Sequence, residues 1–493
     1  MIRRVSFFTI ILIAGCATPQ PASLPFHPSR DPAVQVFRSD RESAWRQFRF
    51  GRGLNVVVEN PELPAEPSWR YDTQGAFSSS PAVAGNSILF ADNNHKLYAL
   101  DARTGNPIWV AKADNQIMTQ PVYANGIVYV GPGDADAKVM APPAYKLSGL
   151  KNSDLAAYDL TTGKPLWQFN LAGTGMPTPA LLGNRLIHAD GAAMVVSVDA
   201  RDGTYQWRTY VRSDANMSQL LDGEDGRVYT MGSYPNATIA LRARDGVTLW
   251  RHAFPNYAGA LCDGPVASDA RALYGMYVLQ TPPIQTPFVP WDRPAFQHVY
   301  ALSKVTGRSL WDTRLPHSYG VIPEQNESAI PLLYDGTLFD GSGLEPIVTA
   351  LNPENGAVRW QVVVHGLVKG GIAARDGVLY FGDLAGYLWA VDDRTGRPIG
   401  SIKTDARFNV GSPIILNDSL VIGSREGIVL VVPLRAIRGS RAIADITSER
   451  RGSPLLVVAL IIGGLVVILG IIPLAFRRYT GPSRPDRKRN MQT

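Results

Sequence analysis

Cysteine is nearly absent from this chain. Only Cys16 and Cys262 occur among its 493 residues, so a network of disulfides, an adjacent cysteine pair and a C-x-x-C-H haem-attachment motif are all excluded. Cys262 is predicted to be a small buried apolar residue. The seven histidines show no H-x-x-H or H-E-x-x-H spacing. The sequence therefore lacks the haem and zinc motifs that local spacing would reveal.

Long apolar runs are confined to the two ends of the chain. The first 16 residues, MIRRVSFFTIILIAGC, combine two arginines, a short apolar run and small residues before Cys16. This pattern resembles a bacterial lipoprotein signal, which predicts that residues 1–15 are removed and that Cys16 is diacylated. An ordinary signal peptide beside a coincidental cysteine is the alternative. Both interpretations predict export of the domain that follows.

The second run, residues 453–476, holds 24 uncharged residues, enough for a helix to cross a hydrocarbon core that needs roughly 20. Arg477, Arg478 and the rest of a basic tail, residues 477–493, follow it, which predicts a cytoplasmic tail. A buried core helix is the alternative. We therefore expect a protein of the cytoplasmic (inner) membrane, with residues 435–452 as the linker to an extracytoplasmic domain.

The basic balance of the chain belongs to its ends. Without Arg3, Arg4 and the charged residues of the tail, the formal net charge falls from +6 to −1. The exported part is therefore nearly neutral, which argues against a nucleic-acid partner, since such proteins carry basic surfaces.

One phrase, YALDARTGNPIW, returns in altered form along the middle of the chain. Aligned on Asp101, every copy has glycine four residues later: Gly105, Gly163, Gly203, Gly246, Gly307, Gly356 and Gly396. Tryptophan stands eight residues later in all copies but the last, where Gly400 replaces it: Trp109, Trp167, Trp207, Trp250, Trp311 and Trp360. Glycine supplies the positive φ of a tight turn. Each phrase therefore predicts a strand, a turn and a second strand.

A second hairpin precedes each phrase, and the shortest spacing between copies is 40 residues, as from Asp159 to Asp199. Four strands in about 40 residues is the length of one propeller blade. The eighth unit lacks its last strand, whereas Trp69 stands near the start of the chain with no hairpin before it. We predict an all-β, eight-bladed propeller over residues 66–434, closed by this N-terminal strand. Residues 16–65 are then a tether and a lead-in segment.

The repeat A-x-D-x-x-T-G-x-x-x-W resembles that of the pyrroloquinoline-quinone-type (PQQ-like) β-propellers, over residues 41–434. This family includes quinoprotein dehydrogenases and BamB, the propeller lipoprotein of the outer-membrane β-barrel assembly machinery, so the fold does not settle the activity. The resemblance implies PQQ beside an adjacent cysteine pair and a Ca²⁺ ion, but this chain has no such pair. Asp134 and Asp136, in GDADAK, suit a Ca²⁺ loop without supplying its remaining ligands. We therefore expect no cofactor, neither PQQ nor Ca²⁺.

Two long insertions, Pro132 to Ser153 and Gln280 to His298, both fall between the second and third strands of a blade. Antiparallel pairing places them on the face opposite the repeat turns; these two faces are called the insertion face and the turn face. The second insertion carries Phe288, Trp291 and Phe296 among prolines, which predicts a preorganised partner-binding surface. The alternative is that these aromatics pack on their own blade. We expect both tethers at the turn face.

The sequence thus predicts a membrane-tethered, extracytoplasmic propeller that binds protein, or polymer, partners in the cell envelope without catalysis. A PQQ-dependent oxidoreductase is the first alternative. A BamB-like assembly factor is the second, although a helix at residues 453–476 would hold the chain in the cytoplasmic membrane. No catalytic, cofactor-binding or metal-binding residue is predicted, and Trp69 and the repeat tryptophans are assigned a structural role.

Overall fold

The structure is a computed structural model. It describes residues 36–38 and 54–440, except 74, 78, 134–137, 140–146, 149–152, 214–218, 234–235, 256–263, 281–294, 316–328 and 410. Its strands form eight blades of four strands each. The prediction of an all-β, eight-bladed propeller is confirmed.

Strands are numbered in chain order. Before blade 1 lie β1 (Val36–Arg38), β2 (Val57–Glu59) and β3 (Trp69–Asp72). Blade 1 contains β4 (Ala82–Ala84), β5 (Ser87–Ala91), β6 (Lys96–Asp101) and β7 (Pro107–Lys112). Blade 2 contains β8 (Val122–Ala124), β9 (Ile127–Val130), β12 (Asp154–Asp159) and β13 (Pro165–Asn170), with a hairpin of β10 (Lys138–Val139) and β11 (Leu147–Ser148) in its insertion. Blade 3 contains β14 (Ala180–Leu182), β15 (Arg185–Ala189), β16 (Met194–Asp199) and β17 (Tyr205–Tyr210).

The same order continues around the ring. Blade 4 contains β18 (Leu221–Asp222), β19 (Arg227–Ser233), β20 (Asn236–Arg242) and β21 (Thr248–Ala253). Blade 5 contains β22 (Ala267–Ser268), β23 (Ala272–Gln280), β24 (Ala295–Ser303) and β25 (Ser309–Arg314). Blade 6 contains β26 (Leu332–Tyr334), β27 (Thr337–Asp340), β28 (Ile347–Leu351) and β29 (Val358–Val363). Blade 7 contains β30 (Ala373–Arg375), β31 (Val378–Gly382), β32 (Tyr387–Asp392) and β33 (Pro398–Lys403).

Blade 8 is assembled from both ends of the domain. It contains β34 (Ile414–Leu416), β35 (Ser419–Gly423) and β36 (Ile428–Pro433), and β3 pairs antiparallel with β36. Trp69 lies opposite Val431 in this pairing. The predicted closing strand is therefore confirmed, and it leaves blade 8 with the same four strands as the others.

Burial shows how each blade is oriented. First strands are almost entirely buried, and those of neighbouring blades approach one another, as β14 approaches β18 and β30 approaches β34. Fourth strands alternate between buried and exposed side chains. The first strands therefore surround the axis of the propeller, and the fourth strands form its outer rim.

A tryptophan joins each blade to the next. Its indole N–H donates to a backbone carbonyl in the turn of the following blade at 2.8–3.2 Å, in seven pairs: Trp69–Ala102, Trp109–Leu160, Trp167–Ala200, Trp207–Ala243, Trp250–Lys304, Trp311–Pro353 and Trp360–Asp393. Its ring covers the glycine of that turn, where a Cβ would lie 2.4–2.7 Å from Cε3 of the indole. These glycines also have φ of 68–76°. Both constraints require glycine at this position.

The junction of blades 7 and 8 uses a helix instead of tryptophan. Helix α1 (Leu434–Arg438) follows β36, and Leu434 and Ile437 are fully buried in the core that blades 7 and 8 share. A Cβ on Gly400 would lie 2.2 Å from the carbonyl oxygen of Ile437. Gly400 therefore replaces tryptophan because the helix takes up that space, and the predicted linker at residues 435–452 begins as a packed helix.

The end of the lead-in segment, residues 54–60, occupies the axis. β2 pairs parallel with β34, and the side chain of Asn55 bonds both the N–H and the C=O of Ala374 in blade 7, at 2.9 Å each. Leu54 belongs to the apolar core that includes Ala267 in the first strand of blade 5. This segment thus contacts several blades at once from the inside.

The path of the lead-in corrects one expectation. Because β2 runs parallel to β34, it runs from the insertion face towards the turn face, where the N–H of Asn60 donates to the side chain of Asn417 at 2.7 Å. Residue 54 therefore lies nearer the insertion face, whereas α1 follows β36 at the turn face. The expectation that both tethers leave at the turn face is wrong for the N-terminal one.

No helix among the described residues is long and apolar enough to cross a membrane. The predicted helix at residues 453–476 and the predicted lipidation site Cys16 lie outside the described residues, and both stay predictions.

Trp69 offers a test of ring closure. Trp69→Ala should lower the free energy of unfolding by about 2–4 kcal/mol, because it removes a large packed side chain. Trp69→Phe keeps a ring over Gly105 but loses the hydrogen bond to Ala102, which should cost about 1 kcal/mol. Urea unfolding followed by tryptophan fluorescence measures both. Equal midpoints for all three proteins would contradict the closing role.

Candidate functional site

The second insertion is shorter than its sequence predicts. β23 extends to Gln280 and β24 begins at Ala295, so the two strands pair over nine residues, with Leu279 opposite Phe296. Phe296 is half-buried, and the guanidinium carbon of Arg314 lies 3.5 Å from its ring centroid. The prediction of Phe296 as a loop aromatic is therefore wrong, because its segment alternates apolar residues and continues the sheet. Phe288 and Trp291 lie outside the described residues.

A polar triad stands at the insertion-face end of the same hairpin. The phenol of Tyr277 donates to Oδ2 of Asp312 at 2.7 Å, and Nδ1 of His298 lies 2.8 Å from Oδ1. The imidazole and phenol rings stack with centroids 4.8 Å apart. Burial would raise the pKa of Asp312, but the two hydrogen bonds hold it below its usual range. The triad ties three strands together where the insertion leaves the blade.

Blade 6 carries a buried carboxyl group beside this hairpin. Nε2 of Gln297 donates to Oδ2 of Asp340 at 3.0 Å and to the carbonyl of Gly341 at 2.8 Å. Oδ1 of Asp340 is buried without a hydrogen-bond partner. Burial raises the pKa of Asp340 to about 8, although the bond from Gln297 opposes this. Asp340 is therefore mostly an uncharged acid at neutral pH.

His188 is the second buried ionisable group that lacks a partner. Neither ring nitrogen is hydrogen-bonded, and burial lowers its pKa to about 3, so the ring is neutral. Gly131 and Gly175 enclose the ring, since a Cβ on Gly131 would lie 2.7 Å from Cε1 of His188. These glycines make room for a bulky side chain inside the core.

Hydrogen bonds also join neighbouring blades at the mouth of the axis. The N–H of Gly371 in blade 7 donates to Oγ of Ser412 in blade 8 at 3.0 Å, and the N–H of Ser412 donates to Oγ of Ser80 in blade 1 at 2.9 Å. The N–H of Gln120 in blade 2 donates to Oγ1 of Thr178 in blade 3 at 2.8 Å. These side chains act as a scaffold, because each already bonds the neighbouring blade.

Several structural acids were not recognised in the sequence. Asp92, Asp190 and Asp383 follow the second strands of their blades and accept backbone N–H groups of the next turn. The phrase that repeats there, two apolar residues followed by a small residue and aspartate, was a usable signal. The described residues contain no group of three or more histidine, cysteine, aspartate or glutamate side chains placed to hold a metal ion.

The architecture and repeat define the class: a PQQ-like propeller whose axis holds its own lead-in segment. A family model described as outer membrane protein assembly factor BamB matches residues 52–141, 151–279 and 293–467. These ranges cover most of the chain, so the chain belongs to that family.

Known relatives include both a hydrolase and assembly factors. Tetrathionate hydrolase of Acidithiobacillus ferrooxidans is 26% identical over 374 residues, 72% of each chain. Outer membrane protein assembly factor BamB of Yersinia pestis is 22% identical over 357 residues, 71% of this chain and 82% of that protein. The crystal structure of a quinohemoprotein alcohol dehydrogenase from Comamonas testosteroni superimposes with a TM-score of 0.58 at 14% identity, covering 82% of both chains. Family membership therefore does not decide between catalysis and binding.

The buried acid predicts a pH effect on stability. The folded chain keeps the proton of Asp340 up to about pH 8, whereas the unfolded chain releases it near pH 4. The folded state therefore binds more protons in that window, and stability should fall as pH rises, by up to about 1.4 kcal/mol per pH unit. Asp340→Asn should remove this slope in urea unfolding between pH 4.5 and 8 (range set by about pH 4 to 8).

Asp335→Asn, on the exposed turn between β26 and β27, is the matched control and should keep the wild-type slope. Parallel curves for wild type and Asp340→Asn would show that the acid does not titrate differently in the folded chain.

Proposed function

We propose that the chain is a protein-binding scaffold of the cell envelope without catalytic activity of its own. The observation that supports this most is the occupied axis: residues 54–60 pack against the first strands of blades 7 and 8. Small-molecule sites are usually concave pockets. A propeller that fills its own axis instead offers faces and rims, which suit a macromolecular partner.

The partner we propose is a protein that takes part in assembling the outer membrane, as the description of the family suggests. The anchors predicted by the sequence, a lipid on Cys16 and a helix at residues 453–476, belong to this proposal. Together they would keep the propeller outside the cytoplasm and the tail, residues 477–493, inside it.

The proposal includes no quinone. The fold resemblance implies PQQ near the axis and an adjacent cysteine pair, but the lead-in segment lies along this axis and the chain has only two cysteines, far apart. The residues present do not fit that group, and no step of the proposed function depends on it.

Crosslinking in native membranes tests the proposal. A photoreactive residue at position 288 or 291 should give one dominant crosslinked protein, because the insertion offers aromatic anchors. Phe288→Ala with Trp291→Ala should reduce the yield from a probe at position 296 at least tenfold. Tyr205→Ala with Tyr210→Ala removes two exposed aromatics on the rim of blade 3 and is the matched control.

Crosslinks that persist in the insertion variant and disappear in the rim variant would overturn the choice of face. Cys16→Ala in the same membranes should change the electrophoretic mobility of the chain; an unchanged mobility would refute the lipid anchor.

One observation favours a second candidate, a hydrolase. Asp340 keeps its proton near neutral pH, as a general acid must, and tetrathionate hydrolase is a relative. Under this alternative Asp340 would donate its proton to the leaving group while water attacks.

The full-length chain, incubated with tetrathionate, decides between the candidates. Hydrolysis that Asp335→Asn retains and Asp340→Asn loses by a factor of at least 100 would establish the hydrolase. Absence of hydrolysis by the wild-type chain would remove that candidate.

A further inference from the structure

Three short segments meet at the insertion-face end of the junction between blades 1 and 2. The N–H of Gly133 donates to the carbonyl of Gln116 at 2.8 Å, and the N–H of Asp154 donates to the carbonyl of Pro132 at 3.3 Å. Ile117 and Pro132 form an isolated bridge between them. The first insertion leaves its blade near Pro132 and returns at Ser153, so this junction is its base.

Polar groups without partners are concentrated at this base. Asp154 is 6% exposed and its Oδ1 has no hydrogen-bond partner; Ser153 is 4% exposed and its Oγ has none. Nδ2 of Asn115, a residue only 2% exposed, is also unpaired. Buried polar side chains nearly always have a partner. Three unpaired groups on connected segments indicate that a ligand belongs there.

The charge of the base identifies the kind of ligand. Burial and then the negative charge of Asp114 raise the pKa of Asp154, so the two carboxyl groups are close enough to repel. Nε2 of Gln168 donates to Oδ2 of Asp114 at 3.2 Å, but no lysine, arginine or histidine among the described residues forms an ion pair with either acid. Tyr158, two residues along β12 from Asp154, senses both acids, which raise its pKa further after burial has raised it to about 12.

We infer that the base of the first insertion binds a divalent, oxygen-preferring cation of the Ca²⁺ class. The carboxylates of Asp114 and Asp154 and the hydroxyl of Ser153 supply oxygen ligands, and water completes the coordination. Ca²⁺ suits this set better than Mg²⁺, because it accepts irregular arrangements of carboxylate, hydroxyl and water oxygens. Zn²⁺ fits less well, since no histidine or cysteine is described there.

The cation would join parts of the chain that are distant in sequence. Asp114 follows the fourth strand of blade 1, whereas Ser153 and Asp154 begin the third strand of blade 2. Bound between them, it would fix the end of the insertion relative to the neighbouring blade. This inference is independent of the proposed function, because it rests on the unpaired groups alone.

Terbium luminescence and thermal unfolding of the full-length chain in detergent test the site. After removal of metals with a chelator, Tb³⁺ should give saturable luminescence excited through nearby aromatic residues, Ca²⁺ should displace it, and Ca²⁺ should raise the unfolding temperature. Asp154→Asn should weaken the binding of Ca²⁺ at least tenfold. Asp393→Asn, another buried aspartate but on the turn face, should bind as wild type does.

Asp114→Asn, at an exposed position, should also weaken binding and keeps the test open where Asp154→Asn fails to fold. No saturable Tb³⁺ signal, or equal affinity in wild type and both variants, would overturn the site. A chain that is stabilised by lower pH but not by Ca²⁺ would also overturn it, since the two acids would then share a proton.

Discussion

The contact on which the propeller depends is the indole of one blade seated on the turn of the next. Each such contact combines a hydrogen bond to a backbone carbonyl with an aromatic ring laid over a glycine, as between Trp109 and Gly163. The ring needs that glycine twice, for its positive φ and for its missing Cβ. Since a ring of blades has no free end, every junction must be filled. Seven tryptophans fill seven junctions, and helix α1 fills the eighth.

This contact explains why so much of the fold could be predicted from sequence. A tryptophan and a glycine that must meet across blades keep fixed offsets within each repeat, and Trp69 was recognisable because it lacked the hairpin that precedes every other copy. The role of Gly400 was not predictable, because α1 has only five residues and no repeat. The path of the lead-in was hidden for a different reason: Asn55 bonds the backbone of Ala374, and a backbone partner has no sequence signature.

The buried acids show a similar division. The position of Asp340 in its repeat is held by Phe90 in blade 1, by Phe381 in blade 7 and by Ile422 in blade 8, so aligned repeats reveal that a polar residue stands where the others are apolar. His188 departs from the pattern in the same way in blade 3. Sequence alone does not reveal that both side chains are fully buried, because that depends on the neighbouring blade and on glycines such as Gly131 that make room.

Regular and irregular features separate between the two faces. The turn face is formed by repeated turns, each stabilised within itself, as Asp159 is by Thr162 and by the N–H groups around it. The triad on Asp312, the acid Asp340 and the unpaired groups around Asp154 all lie towards the insertion face, where the repeat is broken by long connections. Repetition stabilises the ring and leaves no position free to vary on the turn face. A binding role would therefore evolve at the insertion face, and because residue 54 approaches the axis from that side, the N-terminal tether and the proposed partner would share it.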